Sequence, residues 1–110
     1  MTVVIKSLNK EKVFESKEFI TIGSAQNCDF VMETGFYFML TAQINDGKII
    51  LLNNFKNPGI LFKGQPMGEK LEAKGNLKLM IDGSDEFLGI KILENASSPS
   101  VSAIGQKEFT

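Results

Sequence analysis

A chain of 110 residues, 43% hydrophobic and 23% charged, has the size and make-up of one globular domain with its own core. Its formal net charge of −1 argues against nucleic acid or an acidic membrane surface as partner. All 12 cations are Lys, and Arg, His and Trp are absent. Without His there is no imidazole base, no Ser-His or Cys-His nucleophile pair and no His metal ligand. The lone Cys28 can form neither an internal disulfide nor a Cys-based zinc site, and its expected role is that of a small buried hydrophobe. The composition therefore points away from an enzyme and away from any cofactor.

Met1–Lys6 lacks the basic flank and long apolar stretch of a signal peptide. The longest unbroken apolar run, Phe36–Leu40, is far too short to span a membrane. A soluble, cytoplasmic segment is expected. Thr2–Ser7 reads as a β-branched strand, residues 9–12 as a polar turn and Val13–Glu15 as a short return strand. Phe19–Ile22 alternates, stops at Gly23, passes through the small or polar residues Ser24–Cys28 and resumes at Asp29, which reads as strand, loop, strand.

Phe36–Asn45 alternates throughout and predicts a long strand. One face carries Phe36, Phe38, Leu40, Ala42 and Ile44, the other Tyr37, Met39, Thr41, Gln43 and Asn45. Asp46-Gly47 before the apolar Ile49–Leu52 is a strong hairpin signal, because both turn residues take positive φ. Residues 53–59 form a loop rich in Asn, Pro and Gly. Ile60–Phe62, Glu69–Ala73, Leu77–Ile81 and Phe87–Leu93 are further strands, with turns at 63–68, 74–76 and 82–86.

Asp82-x-Ser84-x-Glu86 lacks the Gly and distal Glu of a calcium loop and is read as a plain turn. Nothing sustains a helical period. The expected fold is all-β, a sandwich of about ten or eleven short, mostly antiparallel strands over residues 1–94. Residues 95–110, rich in Ser and Ala, read as a tail or linker.

Gly23, Cys28-Asp29, Ala42-x-Ile44, Asp46-Gly47, Ile60–Met67 and Leu71 with Gly75-Asn76-Leu77 follow one another in an order that resembles the forkhead-associated (FHA) domain, from about Val3 to Leu93. The resemblance implies a β-sandwich whose loops at one pole contact a protein partner. In family members that read phosphothreonine, an Arg after the first Gly and the Ser of a Ser-x-x-His motif hold the phosphate. The His of that motif braces the loops, and a later Asn holds the peptide backbone.

The resemblance places Ser24, Phe38 and Thr41 at the first three positions and Asn54 or Asn57 at the last, with Pro58 interrupting the Asn-Gly pair. A guanidinium meets phosphate in two charged hydrogen bonds, each contributing on the order of 1.5–3 kcal/mol. Losing the pair weakens binding roughly a hundredfold or more. The expected function is a non-catalytic protein-interaction module that does not need phosphothreonine.

Its candidate surface is Tyr37 and Met39 with Met32 or Phe55 beside them, since aromatic and Met side chains are enriched in interfaces. Exposed strand edges offer a second way to pair with another chain, including a copy of this one in a larger assembly. The alternative is a phosphopeptide reader with an unconventional anion site built from Ser24, Asn54, Lys56, Asn57 and Lys63, with Ser7 nearby. The Gly23-Ser24 pair and the chain length also resemble the cytoplasmic FHA-like domains of bacterial type III secretion inner-ring proteins. The FHA pair of type VII secretion ATPases is comparable. That likeness implies a place in a secretion or envelope assembly.

Overall fold

A computed structural model describes residues 2–93. The boundary at residue 94 and the expected tail over 95–110 lie outside them. The described chain is all β: β1 Thr2–Lys6, β2 Glu11–Glu15, β3 Phe19–Gly23, β4 Phe30–Val31, β5 Met39–Asn45, β6 Lys48–Asn53, β7 Ile60–Phe62, β8 Gln65–Pro66, β9 Lys70–Lys74, β10 Asn76–Ile81 and β11 Phe87–Leu93. They form a six-stranded sheet in the order β2-β1-β11-β10-β7-β8 and a five-stranded sheet in the order β4-β3-β5-β6-β9. All pairings are antiparallel except β3 with β4.

The inward faces follow the alternation of the sequence. Ile20 and Ile22, Leu40, Ala42 and Ile44, and Ile49 and Leu51 point inward from the five-stranded sheet. Val3 and Ile5, Leu77, Leu79 and Ile81, and Leu88, Ile90 and Ile92 come from the other sheet. Each such side chain larger than Ala42 contributes about 1.5–3 kcal/mol on leaving water. Asp46 (φ 51°) and Gly47 (φ 76°) make the expected two-residue turn between β5 and β6.

Several strand limits differ from those the sequence suggests. Phe36–Phe38 is not part of β5, because β3 ends at Gly23, opposite Met39, and no strand among the described residues lies beyond to pair with it. The Phe36, Tyr37 and Phe38 carbonyls accept instead from Thr34 Oγ1, Asn57 Nδ2 and the Ser24 backbone N–H. Glu11 and Lys12, expected in a turn, extend β2 opposite Lys6 and Ile5 respectively. Gln65-Pro66 pairs with Leu61-Phe62 through a second two-residue turn, Lys63 (φ 53°) and Gly64 (φ 85°). Pro66 is tolerated there because β8 is an edge strand.

Strands β1, β3, β6 and β10 run toward the same end. The turns after β1 and β10 and the loops after β3, β4 and β6 gather there as one pole. Backbone bonds tie these loops together, from Asn54 N to Met39 O (3.0 Å) and from Asp82 N to Gly59 O (2.8 Å). The Leu8 N–H adds a bond to Glu86 Oε1 (2.8 Å).

Candidate interaction site at the loop pole

The loop after β3 is set by two local devices. The first is Gly23, where an added methyl would run into the Phe38 carbonyl oxygen and stand 3.0 Å from Met39 Cα. The second is Asp29, whose carboxylate accepts from the Thr21 N–H (3.0 Å) and Thr21 Oγ1 (3.2 Å), while its own N–H donates to Thr21 Oγ1 (2.9 Å). The Cys-Asp pair of the sequence is thus a structural fastening. Cys28 is buried beside Gly23; desolvation raises its thiol pKa, and the backbone hydrogen bond from Ala25 offsets this only in part.

Ser24 is already engaged. Its Oγ accepts from the Phe38 N–H (3.1 Å) and lies 3.5 Å from the Phe38 carbonyl, which also accepts from the Ser24 N–H (3.2 Å). The hydroxyl closes the gap between the end of β3 and the segment entering β5. It holds the chain together where the family resemblance would place a guanidinium pointing outward.

The loop after β6 is organised by Asn53, which the sequence does not single out. It is 3% exposed; its Nδ2 donates to Asn57 O (3.0 Å) and its Oδ1 accepts from Asn57 N (3.2 Å). Asn57 in turn donates from Nδ2 to Tyr37 O (2.8 Å) and accepts at Oδ1 from the Gly59 N–H (2.8 Å). Asn54 Nδ2 donates to Thr41 Oγ1 (2.9 Å), so Thr41, which the resemblance sets at the bracing position, joins β5 to this loop through a hydroxyl. Of the two Asn candidates, Asn57 is spent on the protein's own backbone and Asn54 on Thr41.

The expected anion set does not converge. Lys56 pairs with Glu69 at 2.8 Å. Lys63 lies at the tip of the β7–β8 hairpin with its ammonium over the Phe62 ring, 5.2 Å from the centroid. Ser7 lines a separate cleft beside Glu33 and Glu86.

The hydrogen bond to Glu69 raises the Lys56 pKa, and the same bond lowers that of Glu69. Lowering a carboxyl pKa adds stability above its ordinary value of 4.5 that is lost as pH falls through the folded value. Both groups are fully exposed, so the effect on folding is small. An NMR pH titration is expected to find Glu69 titrating below its ordinary range and returning to it in Lys56→Ala.

The aromatic surface does assemble. Tyr37 is 57% exposed and Phe55 55% exposed, with ring centroids 5.3 Å apart. Met39 is half-buried beside them, in register with Gly23 on the outer face of the five-stranded sheet. Met32 is not on this surface: it is 2% exposed, turned into the core by the bond from its N–H to Gly23 O (2.7 Å). The outer face continues the apolar character through exposed Phe19 and Leu52 and half-buried Ile50. The run Ile49–Leu52 is apolar at every position, so alternation alone could not reveal that Leu52 faces out.

The fold is that of FHA domains. The FHA-1 structure of Rv1747 from Mycobacterium tuberculosis superposes with a TM-score of 0.65 at 10% identity, covering 82% of this chain and 94% of that one. The yeast Dun1 FHA domain, solved with a doubly phosphorylated peptide derived from Rad53, superposes with a TM-score of 0.53 at 20% identity. That match covers 97% of this chain and 81% of the yeast domain. No family model matches the chain, and no curated protein matches it. At such identities the likeness concerns the fold, and function rests on the side chains at the pole.

Proposed function

We propose that this chain is a non-catalytic protein-interaction module whose recognition does not depend on phosphothreonine. The observation that carries the reading is Ser24: its hydroxyl is consumed by Phe38, and the chain has no Arg to take over. Among the described residues the expected cations are not gathered for a phosphate, since Lys56 pairs with Glu69 and Lys63 sits on a different hairpin. What the pole does offer is the exposed Tyr37–Phe55 pair on a braced loop, with Met39 beside it. Aromatic anchors of this kind supply much of the binding energy of protein interfaces.

The setting we assign to the module is the cytoplasmic side of a bacterial secretion or envelope assembly, where it acts as a scaffold element. Gly23-Ser24, which resembles the inner-ring proteins, supports that setting. The competing reading, phosphopeptide binding, takes its weight from the phosphorylated ligand of the yeast domain.

Calorimetric titration with matched phosphothreonine and threonine peptides tests the choice. Phosphorylation is expected to change affinity by less than about threefold, against roughly a hundredfold for a guanidinium clamp. A strong preference for the phosphopeptide, lost in Ser24→Ala, would overturn the proposal.

A further inference from the structure

On the side of the pole formed by the β1–β2 turn lies a cleft of about 460 Å³ that neither the FHA likeness nor the aromatic surface accounts for. Ser7 stands in its wall. Its side chain is on a residue only 4% exposed, and its hydroxyl makes no hydrogen bond to any described residue. Buried hydroxyls are nearly always paired, so one left open at a cleft is available to a ligand.

The acceptors around it are unevenly charged. Glu86 uses Oε1 to accept from the Leu8 N–H (2.8 Å) and the Phe87 N–H (3.0 Å), which leaves Oε2 without a partner among the described residues. Glu33 is exposed and has neither an ion pair nor a side-chain hydrogen bond among them. The cation in the lining, Lys10, is already held: its Nζ donates to Val31 O (2.8 Å) and lies 5.0 Å over the Phe30 ring. The lining therefore carries two carboxylates and one ammonium, and that ammonium already donates to Val31 O. Gln26 also lines the cleft, and half-buried Val31 gives it apolar surface.

We propose that this cleft takes the cationic side chain of a partner peptide, a lysine or arginine. Its charged head would be received by Glu33, Glu86 and the Ser7 hydroxyl, and its aliphatic stem would rest on Val31. Long cationic side chains bury their stems against apolar surface in this way while the head keeps polar company. An anion would meet two carboxylates and is rejected by the same wall.

The test is an ¹⁵N–¹H NMR titration of the chain with N-acetyllysine methylamide, N-acetylarginine methylamide and the Nε-acetylated lysine derivative, which keeps the stem and removes the charge. The two cations are expected to give saturable shifts centred on Ser7–Lys10, Gln26, Val31–Glu33 and Glu86, and the acetylated compound none. Added salt should weaken the response. Glu33→Gln, a change on the surface, should raise the midpoint roughly threefold or more. Shifts of equal size from the uncharged compound, shifts unaltered in Glu33→Gln, or no shifts at all would overturn the assignment. The probes do not touch Tyr37 or Phe55, so the result is independent of the aromatic surface.

Discussion

Gly23→Ala is expected to lower stability by about 3 kcal/mol, near the upper end of the range for overpacking a close contact. The reason is the nature of the obstacle. The added methyl meets backbone, the Phe38 carbonyl and Met39 Cα, with Cys28 Sγ 3.2 Å away on the other side. A flexible side chain could swing aside, but Met39 is fixed opposite Gly23 in the register of β3 with β5, and the Phe38 carbonyl just before it accepts from the Ser24 N–H. Relief requires the end of β3 to pull away, which would also strain the Ser24–Phe38 bonds. For a domain of this size the melting temperature should fall by roughly 12–24 °C. Gly35→Ala is the control: nothing lies within 4 Å of a methyl there, so thermal unfolding should move little. Equal melting of the two variants would show that β3 and the Phe38 segment are not held as closely as described.

Gly23 also shows how far the sequence could be read. That a glycine ended a strand there was legible from the break in alternation, and so was the loop that follows. That it is needed for close approach was not, because the atoms it must admit come from Phe38 and Met39, remote in sequence. The same division holds elsewhere. The inward faces of β3 and β5 could be read from period-two patterning, and the Asp46-Gly47 turn from its residue types. The early end of β5 could not, since Phe36–Phe38 keeps the alternation of a strand after its partner has stopped. Phe38 still reaches the core and Tyr37 still faces water, so the pattern was right about faces and wrong about pairing.

At the site, the absence of Arg was visible at once, whereas the fate of Ser24 was not. A serine in a loop carries no sign of whether its hydroxyl is free. Met32 follows a β4 too short to show alternation, and its burial depends on the turn of the chain at Gly23. Asn53 was missed for a related reason. It ends β6 at the start of an Asn-rich stretch, and composition cannot say which amide in such a stretch is buried.

That buried amide leads to the second large effect. Asn53→Ala is expected to cost about 2–3 kcal/mol, since it strands the Asn57 N–H and C=O that Asn53 now satisfies. Asn54→Ala, at an exposed position with one side-chain bond to Thr41, should cost about 0.5–1 kcal/mol. The difference would be read by chemical denaturation. The consequence for the site is more informative than the stability itself. Asn57 is the link between Asn53 and the Tyr37 carbonyl, so loosening it frees the segment carrying Tyr37 and the loop carrying Phe55 together.

The chain contains one Tyr and no Trp, which makes its intrinsic fluorescence a direct report on this surface. In Asn53→Ala under conditions where the chain stays folded, Tyr37 anisotropy should fall and the Asn57 and Gly59 amides should lose hydrogen-exchange protection. Phe55→Ala should change Tyr37 emission while leaving those amides protected, because it removes a ring and leaves the Asn network intact. If Asn53→Ala leaves Tyr37 as ordered as before, the aromatic pair is positioned by its own packing, and the loop brace has no part in presenting it.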